Sequence, residues 1–499
     1  MLPRVRAASG IRILAVALAC AAAIAPSAQA EPATEADALH ALNRLGYGPA
    51  PGELARVMRI GVDRYVDEQL HPERLPLPAD LAQQLGGLST VAASQRDLIT
   101  QFREAAQAAK DDSEDGKAKR RDFYRQVDVE AGEARLWSAS RSPRQLEERM
   151  VDFWFNHFNV FIGKGLDRVL VANYEREAIR PYAMGRFRDL LGATAHHPAM
   201  LFYLDNWQSV APGFQSARAG GAQQAKASGL NENYARELME LHTLGVDGGY
   251  TQQDVTELAR VLTGWTFAPR LATGASVFVF DERRHDHGEK LWLGQRFGDQ
   301  GEAEGEHALD LLAASPATAH HISFELAQYF VADQPPPALV DRLTQRYLAS
   351  SGDIRAMLQV LFASPEFRSA KVHDAKFKTP YDYVVSSVRA AGVPVDDVRP
   401  LLGTLRQLGM PLYGCQTPDG YKNTEEAWLN PDAVTRRIAF ATTLAAGRLP
   451  GAPGAPVDAD ALLATLGGEV SQKTRVTVSE AAPEMRAAML LGSPDFMKR

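Results

Sequence analysis

The sequence predicts a mainly α-helical protein, a multi-helix orthogonal array with one small β-hairpin element. Apolar residues recur at helical spacing along nearly all of its 499 residues. Pairs of a capping residue and a proline, which open helices, stand at Ser142-Pro143, Thr379-Pro380 and Asn430-Pro431. Segments with the two-residue alternation of strands are sparse. Together these observations favour helices packed on helices over a sheet-based fold.

Individual helices can be placed from their caps and stops. Thr251 and Asp254 form a capping-box-like start, and Gly264 ends the helix that follows. Ser142-Pro143 opens an earlier helix with an apolar stripe. The residues of that stripe are Leu146, Met150, Phe153, Trp154 and Phe161.

Two short runs carry the strand signal, Ser276 to Phe280 and Leu291 to Phe297. Both are rich in aromatic and branched residues, and a polar stretch of ten residues, 281–290, separates them. We expect the two runs to pair with each other as a single hairpin around that loop.

The first thirty residues have the three parts of a secretory signal. Arginines provide a basic start, residues 13–24 are apolar, and Ala28-Gln29-Ala30 is an A-x-A cleavage site. The apolar run is shorter than the roughly 20 residues that a membrane span needs, which disfavours an uncleaved anchor. Lipidation at Cys20 is an alternative that stays open. We therefore expect a periplasmic or secreted chain that begins at Glu31 and has no transmembrane span.

The mature chain is acidic and nearly free of cysteine. Loss of residues 1–30 removes three arginines and no acidic residue, so the formal net charge falls from −7 to −10. This charge argues against nucleic acid as a partner. Only Cys415 remains after cleavage, so no internal disulfide can form and the apolar core must hold the fold.

Composition divides the mature chain in two. We assign residues 31–446 to a main helical domain and residues 447–499 to a linker with a C-terminal helical segment, because a Pro- and Gly-rich stretch begins at Gly447. Residues 104–133 are dense in charge, which predicts either a solvated helix or disorder. Residues 209–229 are rich in Ala, Gly, Gln and Ser, which predicts a flexible loop.

The strongest candidates for chemistry lie on the predicted helix 231–245. At about 100° per residue, Asn233, Glu237 and Glu240 fall in one narrow stripe, with Arg236 beside it. Two carboxylates at this spacing suit metal binding or a division of acid and base roles. The alternative is a solvated face with a local ion pair.

Four histidines belong to the same analysis. His157 shares the buried stripe of its helix, where a histidine is either a structural donor or a ligand or base. His285 and His287 are two residues apart in the polar loop, a spacing found in metal sites, and Asp286 between them could orient one imidazole. The alternative is an exposed loop without a metal. His242 lies on the apolar side of the carboxylate-bearing helix, so we expect it to be buried and bonded to a backbone carbonyl.

Taken together, these motifs resemble a bacterial family catalogued as domain of unknown function 1800. The similarity extends from about residue 38 to the end of the chain. The segments that carry it are Leu42 to Pro49, Gly61 to Leu70, Met150 to Phe158, Asn231 to Gly245, Tyr250 to Trp265, His285 to Lys290, Lys376 to Gly392 and Trp428 to Pro431. The candidate residues on family motif positions are His157, Asn233, Arg236, Glu237, Glu240, His285, Asp286 and Lys290.

The resemblance implies an exported, mostly helical protein whose family often accompanies a secreted protein resembling alkaline phosphatases. It implies no settled activity. Two classes of function stay open: a metal-assisted hydrolase or oxidoreductase of the cell envelope, and a non-catalytic binding or assembly protein whose polar cluster is structural.

If the protein is an enzyme, we expect the candidate segments to converge on one site, and a divalent metal ion is the cofactor that they suit. The expected roles are catalytic for Glu237, Glu240 and His157, substrate-binding for Arg236, Asn233 and Lys290, and metal-binding for His285 and Asp286.

Overall fold

The structure, a computed structural model, describes residues 34–108, 110, 113–214, 229–270, 272, 274, 276–450 and 454–499. The predicted signal peptide, residues 1–30, lies outside the described residues. So do residues 215–228 of the predicted flexible loop and residues 109, 111 and 112 of the charge-dense segment. The described remainder of the charge-dense segment is almost entirely helical.

Helices dominate the described residues, so the prediction of a mainly α protein is confirmed. The helices of the first half are α1 (Glu35–Leu45), α2 (Glu53–Ile60), α3 (Val62–Leu70), α4 (Ala79–Gly86), α5 (Ser89–Ala92), α6 (Gln95–Ala108), α7 (Glu114–Arg141), α8 (Gln145–His157), α9 (Asp167–Tyr174), α10 (Phe187–His196), α11 (Pro198–Tyr203), α12 (Glu232–Glu240) and α13 (Gln252–Val261). Those of the second half are α14 (Glu302–Ala314), α15 (Pro316–Phe330), α16 (Pro337–Ala349), α17 (Ile354–Ala363), α18 (Pro365–Arg368), α19 (Pro380–Ala391), α20 (Arg399–Gln407), α21 (Glu425–Trp428), α22 (Pro431–Ala445), α23 (Ala459–Leu466), α24 (Gln472–Glu480) and α25 (Pro483–Leu491). Among the described helices, none is long and apolar enough to cross a membrane.

The helix starts predicted at Thr251, Thr379-Pro380 and Asn430-Pro431 form where the sequence places them. The helix predicted to open at Ser142-Pro143 begins instead at Gln145, and no side chain of the described residues caps it. Thr251 and Asp254 make a reciprocal capping box at the start of α13, and Thr379 makes one with Asp382 at the start of α19. The side chain of Asn430 accepts from the backbone at the start of α22. These local hydrogen bonds satisfy backbone donors that a helix leaves unpaired at its first turn.

The strands do not pair as predicted. Trp265–Phe267 (β1) pairs with Phe278–Phe280 (β2), and Lys290–Trp292 (β3) pairs with Gln295–Phe297 (β4), both antiparallel. The single hairpin expected between the second and third of these runs is therefore wrong. The physical reason is the turn Leu293-Gly294, in which both residues have positive φ, 47° and 75°. Two such residues form the tight turn that folds a strand back on its own neighbour.

Two apolar cores organise the helices. The larger core lies among helices from α1 to α17, and the smaller one joins α19, α20 and α22 to the C-terminal helices α23 and α25. Phe440 and Leu444 share the smaller core with Leu490 and Leu491, so this core extends across Gly447.

Buried ion pairs connect the two cores through α8. Arg149 of α8 pairs with Asp382 of α19, and both side chains are almost fully buried. Asp152, one turn further along α8, accepts a 2.7 Å hydrogen bond from the buried Arg135 of α7. Because breaking a buried ion pair leaves an uncompensated charge, these contacts fix the rotation of α8. That rotation orients His157, the last residue of α8.

His197, the buried residue that caps the start of α11, makes the stability of the fold dependent on pH. The Nδ1 atom of His197 accepts from the backbone N–H of Ala199 at 3.1 Å, and its Nε2 atom bonds the side-chain oxygen of Asn173 at 2.9 Å. Burial, with a smaller contribution from Arg176, lowers the pKa of His197 from 6.5 to about 3. The folded state thus excludes a proton that the unfolded state binds, so stability falls as pH decreases from 6.5 towards 3.

We expect His197→Asn to remove this part of the pH dependence, because asparagine can cap the helix but does not titrate. The wild-type free energy of unfolding should fall more steeply between pH 6 and 4, by up to about 1.4 kcal/mol per pH unit. Urea denaturation across this range measures both slopes, with His320→Asn, at an exposed position of α15, as the control. Equal slopes for wild type and His197→Asn would contradict this assignment.

Candidate metal centre

A polar cavity of about 240 Å³ lies between the end of α8, the end of α12, α15 and the segment 410–423. Its wall carries more acidic than basic side chains. The acidic, histidine and lysine residues of the lining are Asp152, His157, Glu240, His321, Glu325, Asp419 and Lys422. A cavity with this charge suits a cation.

Two histidines and a carboxylate meet at one end of the cavity. The Nδ1 atom of His157 lies 2.7 Å from Oε2 of Glu325, and the Nε2 atom of His321 lies 3.6 Å from Oε1 of the same carboxylate. His321 and Glu325 are four residues apart on α15, so they share one face of that helix. One ligand atom from each of the three residues lies within 4.8 Å of the other two.

The electrostatics keep the carboxylate of this cluster ready to bind a cation. Burial of Glu325 opposes ionisation, but the charge and hydrogen bond of His157, followed by the charge of His321, outweigh it and hold the pKa of Glu325 below its ordinary value. Metal ligands must be deprotonated, so an ion that binds here would displace the protons of the two histidines and take over their role of neutralising the ionised carboxylate. Two imidazoles with one carboxylate form a ligand set that transition metals such as zinc and iron accept.

His242 lies behind the cluster and supports it through its backbone. Its carbonyl oxygen accepts from Nε2 of His157 at 3.1 Å. The side chain is buried, as predicted, and its Nε2 atom has no hydrogen-bond partner among the described residues. Burial, then the charges of His157 and His321, lowers the pKa of His242 well below its ordinary value, so its imidazole is neutral.

Glu237 and Glu240 of α12 differ in their surroundings. Glu240 lines the cavity, and its Oε2 atom accepts from the hydroxyl of Tyr250 at 3.1 Å. Burial and the charge of Glu240 raise the pKa of that hydroxyl to about 12. Glu237 is not among the lining residues; burial, then the charges of Glu240 and Asp419, raise its pKa. Glu240 is therefore the carboxylate of α12 that shares this cavity with the candidate metal ligands.

Arg236 and Asn233, predicted to bind substrate, lie on the outer part of α12. A guanidinium nitrogen of Arg236 donates to the side chain of Gln252 on α13 at 2.8 Å. Asn233 is exposed, and its backbone N–H donates to the capping side chain of Asn231 at 2.8 Å. Neither residue lines the cavity.

The loop 281–290 forms a second cluster instead of joining the first. His285 is buried, with Nδ1 at 2.9 Å from the carbonyl of Thr263 and Nε2 at 3.2 Å from Glu304. Among the described residues, none from 281–290 lines the cavity of His157. The structure thus brings His157 and Glu240 together and places His285 elsewhere.

Within this second cluster, Asp286 and Lys290 have structural partners. Asp286 accepts from Arg260 at 2.8 Å, and Lys290 lies 2.7 Å from Glu304 with its ammonium group fully buried. His285, Asp299 and Glu304 also have the spacing of metal ligands. However, the ammonium of Lys290 already neutralises Glu304, so this cluster suits a cation less well than the cluster of His157.

The sequence analysis missed His321 and Glu325, and it did not single out Asp419 and Lys422. The spacing of His321 and Glu325, four apart on a strongly periodic helix, was the available signal. Asp419 and Lys422 pair with each other at 2.8 Å in a segment without regular structure, and no motif marks them.

Comparison with known proteins gives a family but no relative of known function. No curated protein and no solved structure matches the chain. The model of one family, described as a protein of unknown function (DUF1800), matches residues 40–498. This match covers nearly the whole sequence, as the resemblance of the motifs predicts. The chain therefore belongs to the DUF1800 family.

Proposed function

We propose that the protein is an exported, metal-assisted hydrolase whose divalent metal ion is held by His157, His321 and Glu325. The observation that carries the proposal is the position of these three side chains. Their ligand atoms lie within 4.8 Å of one another on the wall of a polar cavity. Three protein ligands beside an open cavity are typical of catalytic sites, because the remaining position is left for water or substrate.

Hydrolysis needs a nucleophilic water and a group that accepts its proton. A bound divalent ion lowers the pKa of its water to about 7. Glu240, which lines the same cavity, is the proposed base, and the hydroxyl of Tyr250 holds its carboxylate in place. Lys422 also lines the cavity and offers a positive charge to an anion formed on the substrate.

A second candidate activity is oxidation at the same centre. Two histidines and one carboxylate are also the ligands of non-haem iron oxygenases. We favour hydrolysis because the cavity contains Glu240, a carboxylate outside the three ligands that, among the described residues, is not paired with a cation as Asp419 is with Lys422. Spare carboxylates can accept a proton from water, a role that hydrolysis requires.

Export and a partner protein are part of the proposal. The basic start, apolar run and A-x-A site of residues 1–30 support a periplasmic or secreted location. The resemblance to a family that often accompanies secreted alkaline-phosphatase-like proteins supports such a protein as the partner. Recovery of that protein with this one from the envelope fraction would test the partnership.

Metal analysis of the purified exported protein tests the central claim. We expect about one zinc, iron or manganese ion per chain, and a lower melting temperature after chelation, because an ion that binds only the folded state stabilises it. Glu240→Gln should keep the metal but lose chelator-sensitive hydrolysis of a panel of esters, phosphoesters and amides. Protein that lacks metal and whose melting does not respond to added metal would refute the proposal and favour a structural polar cluster.

A further inference from the structure

Three cavities follow one another along the segment 410–421. The cavity of the candidate metal centre and a small cavity of about 30 Å³ share Asp152, Asn156, Met410 and Tyr421. The small cavity and a larger outer cavity of about 590 Å³ share the three residues 411–413. Residues of the segment 410–421 therefore line all three cavities, and the small cavity lies between the other two.

The segment between the cavities is held in an unusual conformation. Tyr413 has φ of 56°, in the left-handed region that side chains other than glycine rarely adopt. Its hydroxyl donates to the buried Glu175 at 2.8 Å, and its carbonyl accepts from the backbone of Ile162 at 3.0 Å. Backbone strain of this kind concentrates at functional sites, where the surrounding contacts maintain it.

The helix that supplies His157 also positions this segment. Asn156 accepts from the backbone N–H of Tyr421 at 2.7 Å and donates to its carbonyl at 2.9 Å. Asn159 donates to the carbonyls of Cys415 and Thr417 at 3.1 Å and 2.9 Å. The wall of the outer cavity and the candidate metal ligand are thus tied to the same short stretch of chain.

The lining of the outer cavity combines apolar surface with positive charge. Aromatic and branched side chains form much of the wall, among them Phe102, Tyr124, Phe161, Ile162, Leu402 and Leu412, all of them half-buried. Such a lining binds apolar groups, since it removes them from water.

The two arginines of the outer cavity differ in their partners. Arg168 stacks on Tyr124 at 4.5 Å and pairs with Asp128, with Nε at 3.0 Å from the carboxylate. Arg406 is exposed, and no acidic group of the described residues lies within ion-pair distance of it. An unpaired guanidinium at the edge of an apolar cavity is complementary to an anion that carries an apolar group.

We propose that the outer cavity binds an amphipathic carboxylate, with its apolar part against the aromatic wall and its carboxylate at Arg406. This assignment rests on the proposed function in one respect: it identifies the ligand as the acidic, apolar portion of the hydrolase substrate. The continuity of the three cavities and the charge of Arg406 support it.

Calorimetric titration of the full mature chain with octanoate and with 1-octanol tests the inference. These probes share the same apolar chain and differ in charge. We expect octanoate to bind more tightly, and Arg406→Glu to weaken octanoate about five- to tenfold without affecting octanol. Arg346→Glu, at another exposed arginine whose side chain has no partner among the described residues, should change the binding of neither probe. Ile162→Trp, which fills the cavity, should weaken both probes, with the fold checked by circular dichroism.

The titrations are run with and without chelator, which separates the two proposals. If octanoate binds equally well to wild type and Arg406→Glu, or does not bind, the inference is overturned while the metal centre stands. If octanoate binds as expected to a protein that takes up no metal, the binding site stands and the proposed hydrolase is overturned.

Discussion

Glu325→Gln and His321→Ala are each expected to lower the metal affinity of the protein by more than about 100-fold. Loss of a group that only orients a metal ligand lowers metal affinity about 10- to 100-fold. Loss of a direct ligand should lower the affinity by more than this. Glutamine keeps the shape of Glu325 but removes the negative charge that attracts the metal ion. The measurement is the metal retained by each variant after dialysis against a weak chelator, with circular dichroism to confirm the fold.

Two matched controls distinguish this site from other carboxylates. Glu306→Gln alters a carboxylate 2.7 Å from His196, outside the cavity, and Glu237→Gln alters the neighbouring glutamate of α12. Both variants should keep the wild-type metal content. If Glu325→Gln retained the metal and Glu304→Gln lost it, the ion would instead lie at the cluster of His285, contrary to our assignment.

Asp382→Ala is expected to cause the largest loss of stability among the substitutions considered. The carboxylate pairs with the buried Arg149, lies 3.3 Å from Nε of the buried Arg499, and completes the capping box of α19 with Thr379. Its removal leaves two guanidinium groups in the interior with less compensation. The loss of one partner of a buried pair costs about 3–5 kcal/mol. Urea denaturation at pH 7 measures the effect.

The same carboxylate adds a pH dependence of known sign. Burial raises the pKa of Asp382, but Arg149 and Arg499 outweigh burial and lower it to about 2. Its contribution to stability is therefore present above the ordinary pKa of about 3.9 and is lost as pH falls towards 2. Asp432→Asn, which breaks an exposed pair with Arg436 on α22, should cost less than about 1 kcal/mol. A similar loss of stability from Asp382→Ala and Asp432→Asn would contradict the central position of Asp382.

Local rules predicted the helices and misjudged the strands. The part of the α8 stripe from Leu146 to Trp154 and the caps at Thr251 and Thr379 appear as expected, because each depends on residues within one or two helical turns. Phe161, predicted on the same stripe, lies beyond the end of the helix at His157. The turn at Leu293-Gly294 was missed, because leucine gives no signal for a left-handed backbone. The run 291–297 therefore read as one strand, whereas the chain folds back in its middle.

For the candidate site, the sequence by itself determined which side chains were available and which helical faces would be buried. The periodicity of α8 places His157 inside, and the period of α12 places Glu240 one turn after Glu237. The motifs likewise identified the family. These properties depend on spacing along a single helix, which the sequence states directly.

Only the tertiary structure decided which polar groups meet. His157 and Glu325 are 168 positions apart, and their contact depends on how α8 packs against α15. The same packing left His285 and Lys290 with Glu304 in a separate cluster. No local pattern encodes such a contact, because it results from burying many apolar faces at once. Each buried charge then requires a partner at the position where the packing places it.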